Sequence, residues 1–103
     1  MIYLTASTPI LIATVPADFR CGIDGFVAIC QHQLKQNPRS GTVFAFINRA
    51  KTMVRLLVYE NNGYWLMTKR LSKGRYQGWP KSPQSMNRIE AQKLRKLLSN
   101  LVK

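Results

Sequence analysis

The sequence predicts an α+β fold: a small antiparallel sheet, built from a three-stranded meander plus a short N-terminal strand, with one helix after the first strand and one C-terminal helix. Three observations predict it. Apolar residues recur at helical spacing near each end of the chain. Between those stretches lie three β-rich runs separated by short polar turns. The length of 103 residues suits one domain, 1–103, and a hydrophobic content of 46% is enough for a packed core rather than a disordered tail.

The elements follow in order. Residues 10–15 are short, apolar and partly β-branched, and Pro16 ends them, so they read as a strand. The stretch before Ala17 is fairly apolar, but no Lys or Arg precedes it and Pro9 interrupts it. It is therefore read as mature sequence rather than a signal peptide, which predicts a cytoplasmic protein. No apolar run is long enough to span a bilayer, so no membrane is expected as partner. Ile23, Phe26, Val27, Cys30 and Leu34 then mark the inner face of a helix. Asp24 suits the positive end of that helix, and Asp18 is placed to pair with Arg20. Asn37-Pro38 stops the helix, and Arg39-Ser40-Gly41 turns the chain.

Residues 42–47 form the next strand, and Asn48-Arg49-Ala50-Lys51 is a polar turn. In residues 52–60, Val54, Leu56 and Val58 share one face, while Met53, Arg55, Leu57 and Tyr59 give a mixed one. Asn61-Asn62-Gly63 is a hairpin turn, because Asn and Gly tolerate the positive φ it needs. Residues 64–71 run back, with Tyr64 and Trp65 read as core aromatics. Residues 72–85 read as an ordered loop in which Trp79, held extended by Pro80, packs down as a lid. The last helix is expected to start near Asn87, where Asn87 and Glu90 have capping-box spacing, and to bury Ala91, Leu94, Leu98 and Leu101.

The charge balance narrows the function. Sixteen Lys and Arg face four Asp and Glu, a formal charge of +12, which points to an anionic partner. Residues 1–34 carry Arg20 against Asp18 and Asp24, so the surplus lies entirely downstream. Four carboxylates leave little for a metal-dependent or paired-carboxylate active site. The single His32 has no nucleophile or acid patterned around it. Cys21 and Cys30 lack metal-ligand spacing and are read as free thiols. Neither a catalytic residue, nor a metal, nor another cofactor is expected. A nuclease using Asp18 and Asp24 ranks lowest among the readings.

The densest signal lies between Asn48 and Lys81, where basic and aromatic residues alternate. Lys and Arg neutralise phosphates, and aromatic rings stack on unpaired bases. Arg49, Arg55, Lys69, Arg70, Lys73, Arg75 and Lys81 are the candidate phosphate contacts, and Tyr76 and Trp79 the candidate stacking residues. Gly74-Arg75-Tyr76-Gln77-Gly78-Trp79-Pro80 is a turn without Walker spacing. The basic outer face of the last helix (Lys93, Arg95, Lys96) suits DNA, a protein or plain solvation.

These segments resemble a known family. Asp18-Phe19-Arg20-Cys21-Gly22-Ile23-Asp24-Gly25-Phe26 is similar to its D-M-R-x-G-[FI]-D-G-L opening. Phe44-Ala45-Phe46-Ile47-Asn48-Arg49 is similar to its F-V-F-x-N-[RK] strand. The run from Tyr64 to Leu71, then Gly74-Arg75-Tyr76 and Trp79-Pro80, is similar to its G-[FL]-W-L-x-x-K-R-L-x-x-G-R-F-x-W-P stretch. The family is that of the TnpB accessory proteins, or second open reading frame proteins, of the insertion-sequence-sixty-six elements. It is distinct from the RNA-guided nucleases that share the name. Arg55 departs from the family's strand pattern, which has lysine there, and Ser72 stands where glutamate is frequent. The resemblance implies an accessory role in transposition beside a separate, larger transposase that carries the carboxylate chemistry. Two partners are expected: DNA, at transposon ends or target, and that transposase subunit. The alternative to DNA binding is a protein–protein adaptor of the transposase complex.

Overall fold

Two strands buried on both faces organise the molecule. The computed structural model describes residues 4–99 and the backbone of 101–102. Strand β1 (Ile10–Ala13) and strand β2 (Val43–Ile47) are buried at every position. They run parallel, Ile10 opposite Val43 and Ile12 opposite Ala45. Unbroken apolar runs of this kind belong to strands covered on both sides. The crossover between them contains helix α1 (Ile23–Ala28), which continues as a π-helical turn over Ile29–Gln33.

The meander stands as expected. Strand β3 (Met53–Glu60) pairs antiparallel with β2, and strand β4 (Gly63–Arg70) pairs antiparallel with β3 through the Asn61-Asn62 turn. The sheet as a whole differs from the expectation. It is mixed and five-stranded, in the order β4-β3-β2-β1 with a further strand at Met86–Ile89 on the free edge of β1. Strand β5 (Arg75–Tyr76) lies outside it, within the segment read as a loop. Strand β6 (Met86–Ile89) occupies residues assigned to the start of the last helix, and pairs antiparallel with β1. The Asn87 and Glu90 spacing mimics a helix start, but Asn87 and Ile89 bond across to β1 instead. Helix α2 (Ala91–Ser99) begins after Glu90, whose carbonyl accepts the Leu94 amide. Leu101 belongs to strand β7 (Leu101–Val102), which pairs with β5, and not to the helix.

Alternation along the strands loads each sheet face. One face carries Ile10, Ile12, Val43, Ala45, Ile47, Val54 and Val58, covered by Ala91, Leu94 and Leu97 of α2 and by Tyr76 and Trp79. The other carries Leu11, Ala13, Phe44, Phe46 and Leu57, covered by Phe26, Cys30 and Leu34. The result is three layers, with the meander's outer strand β4 at one edge. Among the described residues no helix is long and apolar enough to cross a membrane.

Candidate nucleic-acid interface

The end of the sheet where β1 and β2 finish collects the turns that carry charge. Asn48 builds the β2–β3 turn: its Oδ1 accepts the amides of Thr52 (2.9 Å) and Met53 (3.0 Å), and its Nδ2 donates to Thr52 Oγ1 (3.0 Å). Lys51 takes a left-handed φ of 61° to close it. Arg49 is exposed on this turn and Lys51 half-buried. The chain leaving β4 then docks on the same turn. The Leu71 amide donates to Thr52 O (2.9 Å) and the Tyr76 amide to Lys51 O (2.8 Å). Exposed Arg70, Lys73 and Arg75 thereby lie on or next to the segment that docks on the turn carrying Arg49 and Lys51. From the other side the Ala17 amide donates to Ile47 O (2.9 Å), which brings the 18–21 corner against the turn. Corner and turn border a cleft of about 570 Å³.

That corner carries an acid already answered. Arg20 Nη2 lies 2.7 Å from Asp18 Oδ2, its Nε 3.0 Å from Oδ1, and its amide donates to Oδ1 at 2.9 Å. The Arg20 side-chain hydrogen bonds, then its backbone amide, hold the Asp18 carboxyl down at about 2, with a smaller attraction from Arg49. Glu60 closes the β3–β4 hairpin and Glu90 precedes α2, both at the opposite end of the sheet. Asp24 sits in the first turn of α1, as its position near a helix start predicts. Among the described residues, no three His, Cys, Asp or Glu side chains converge as a metal site would require.

Several candidate residues sit elsewhere. Arg55 points into the α1 layer, where Nη1 donates to the carbonyls of Phe19 (2.8 Å) and Cys21 (3.2 Å) and Nε to Thr68 Oγ1 (2.8 Å). Its guanidinium also lies over the Phe19 ring, 4.9 Å from the centroid. Lys69 points to the α2 side and donates to Leu98 O (3.2 Å), an anchor for the negative end of that helix. Tyr76 and Trp79 are buried, 2% and 8% exposed, and cannot stack on a base. Trp79 is packed down as expected, and its Nε1 donates to Ala13 O (2.8 Å) at the end of β1. Lys81 is exposed in the segment that follows Trp79. The core reading of the other aromatics is half corrected. Tyr64 packs against the α1 layer, whereas Trp65 is 47% exposed and donates to Glu60 Oε1 (3.0 Å).

Two cations of this end were absent from the candidate contacts. Lys51 lay within the basic–aromatic run, and its position in a turn after Arg49 was the available signal. Arg20 was hidden by its neighbour Asp18, since only the fold shows the corner meeting the turn. The corner is itself tightly built. Cys21 Sγ donates to Asp18 O (3.1 Å), and a Cβ at residue 25 would stand 2.3 Å from Cys21 Cβ, so only glycine fits.

Comparison with known proteins identifies the family. The profile of the family described as IS66 Orf2 like protein matches residues 8–102. The uncharacterized protein y4hO of Sinorhizobium fredii is similar, 34% identical over 90 residues, covering 87% of this chain and 77% of that protein. The uncharacterized protein y4jC of the same organism is 34% identical over 67 residues, covering 65% of this chain and 57% of its own length. No solved structure matches. With the profile spanning the sheet, both helices and the basic end, the chain belongs to the IS66 Orf2-like family, and with it to the accessory side of IS66 transposition.

Proposed function

We propose that the chain is a DNA-binding accessory protein of IS66 transposition, with bond-making left to a separate, larger transposase. One observation carries this reading: the gathering of Arg49, Lys51, Arg70, Lys73 and Arg75 at one end of the sheet, with Asp18 already paired to Arg20. Cations held together by backbone hydrogen bonds are preorganised for a polyanion, and each phosphate contact releases condensed counterions. Neutralising about five phosphates sets a log–log salt slope near −4.5. The test is a fluorescence-polarisation titration of the protein against labelled duplex and single-stranded DNA across a salt series. Absence of binding to either at low salt refutes the proposal.

The absence of catalysis belongs to the same proposal. Its support is that Asp18 serves a corner and Glu60 accepts a hydrogen bond from Trp65. Metal-dependent nicking by purified protein that disappears in Asp24→Asn overturns it.

The adaptor reading rests on a different observation. Trp65 is exposed near the hairpin end of β3–β4, away from the turn that carries Arg49 and Lys51. Charge reversal at Arg70 and Lys73 then leaves a complex with the transposase intact, and that complex survives nuclease treatment.

A further inference from the structure

We infer that the basic end takes the phosphate backbone of duplex DNA and not single-stranded DNA. The inference rests on the DNA-binding reading and deepens it. Its first support is negative selection among the aromatics. Single-strand sites pair a basic track with rings on which bases stack. Here Tyr76 and Trp79, the aromatics nearest in sequence to Lys73 and Arg75, are buried in the core, and the half-buried Phe19 beside the cleft has the Arg55 guanidinium over its ring at 4.9 Å and Phe26 edge-on to it. The exposed Trp65 stands opposite Val58, several residues up the β3–β4 ladder from Arg70, which stands opposite Met53.

The second support is the layout of the charges. They do not follow one line. Arg49 leaves β2, Lys51 enters β3, and Arg70 ends β4, with Lys73 and Arg75 beyond it. Adjacent strands are about 4.8 Å apart, so the β2 and β4 sides are separated by about 10 Å. That lateral spread is comparable to a B-DNA groove, whose width is about 6 Å for the minor and about 12 Å for the major. Cations on both sides of the β2–β3 turn answer two phosphate rows, which a duplex offers and a lone strand does not. Backbone contacts of this kind position a protein on DNA without reading its sequence.

The experiment compares a labelled 20-base-pair duplex with each of its single strands, by polarisation, from 50 to 200 mM salt. The expected result is at least tenfold tighter binding of the duplex at 50 mM. Its slope should lie near −4.5, against about −3.5 or shallower for a strand touching as many phosphates. The double variant Arg70→Gln/Lys73→Gln, at exposed positions that leave the core untouched, should flatten the duplex slope by about 1.8. Single-strand affinity equal to or above duplex affinity overturns the inference while leaving the DNA-binding reading standing. An unchanged duplex slope in the double variant, with folding confirmed by its urea midpoint, overturns the assignment of the site. No binding of either form removes both readings together.

Discussion

Replacing Arg55 with methionine separates a structural arginine from a phosphate contact. The guanidinium makes two half-buried hydrogen bonds to the Phe19 and Cys21 carbonyls and one exposed bond to Thr68. Hydrogen bonds from a charged group contribute about 1.5–3 kcal/mol net. Taking the two carbonyl bonds at the low end, and counting nothing for the exposed one, gives about 3 kcal/mol. The stacking over Phe19 and Phe26 adds about 0.5–1 kcal/mol, partly replaced by the methionine's own packing. The expected loss is therefore about 3 kcal/mol, or a fall of about 12–24 °C in melting temperature for a domain of this size. Urea melts followed by circular dichroism measure it, with an unchanged m-value showing that the folded state is otherwise intact. DNA affinity of the folded variant and its salt slope should stay as they are. A native midpoint combined with a slope shallower by about 0.9 would mean that Arg55 touches a phosphate, and the structural assignment would be wrong. Arg55→Lys should fall between, because lysine lacks the second nitrogen, Nε, that donates to Thr68 and the planar group that lies over Phe19.

Four further outcomes are expected. Tyr76 Oη is buried with no hydrogen-bond partner among the described residues, so Tyr76→Phe should raise stability by about 1 kcal/mol in urea melts; a loss would mean that the hydroxyl has a bound partner. Gly25→Ala drives a Cβ into Cys21 and should cost about 1–3 kcal/mol, where an open helical site would gain from alanine. Asp18→Asn removes the acid beside Arg20 and Arg49 and should tighten DNA binding, with a salt slope steeper by about 0.9 if Arg20 then reaches a phosphate; weaker binding at intact stability would contradict the placement of the site. Burial pushes the Cys30 thiol up to about 12 from an ordinary 9.0, so the unfolded chain loses that proton first. Stability from this group is complete below pH 9 and declines as pH rises from 9 towards 12, and Cys30→Ala should flatten that limb of a pH series of urea midpoints.

Periodicity carried the helices and the meander, because each buries one stripe or alternates across one face. It failed where a neighbour in space decided the outcome. Residues 86–89 are apolar at Met86 and Ile89 and polar between, which fits a helix start as well as a strand. Only the free edge of β1 resolves the ambiguity, since its unpaired backbone groups need a partner. The parallel pairing of β1 and β2 was legible in principle, in the unbroken apolar run at 43–47, yet a chain with one crossover offers no repeated βαβ pattern to announce it.

The candidate site was legible in charge and not in placement. A sequence lists Arg55, Lys69, Arg70 and Lys73 as equivalent cations, but a strand sends successive side chains to opposite faces. That alternation turns Arg55 under α1 and Lys69 towards the end of α2. Exposure survives at the turns and strand ends, where no layer lies above the chain, and there Arg49, Arg70, Lys73 and Arg75 are exposed, whereas Lys69, also exposed, has its ammonium on the Leu98 carbonyl. The aromatics sort by the same logic in reverse. Tyr76 and Trp79 come directly after Lys73 and Arg75, and the bonds of the Tyr76 amide to Lys51 O and of the Trp79 indole to Ala13 O hold them inward.

The segment Asp18 to Gly25, one of those that carry the family resemblance, thus has a part that its chemistry alone does not suggest. It is a corner whose carbonyls are held by Arg55, whose acid is held by Arg20, and whose glycine admits Cys21. Bonded to the end of β2 through Ala17, it faces, across the cleft, the turn that carries Arg49 and Lys51. Loosening the corner therefore acts on the basic end through position rather than through charge. A corner variant such as Gly25→Ala should weaken DNA binding without altering its salt slope, because the cations remain and only their mutual arrangement is lost. A charge variant at the turn alters both. Affinity and slope measured together consequently tell the scaffold from the contacts, and a corner variant that flattened the slope would show that the corner itself reaches the phosphates.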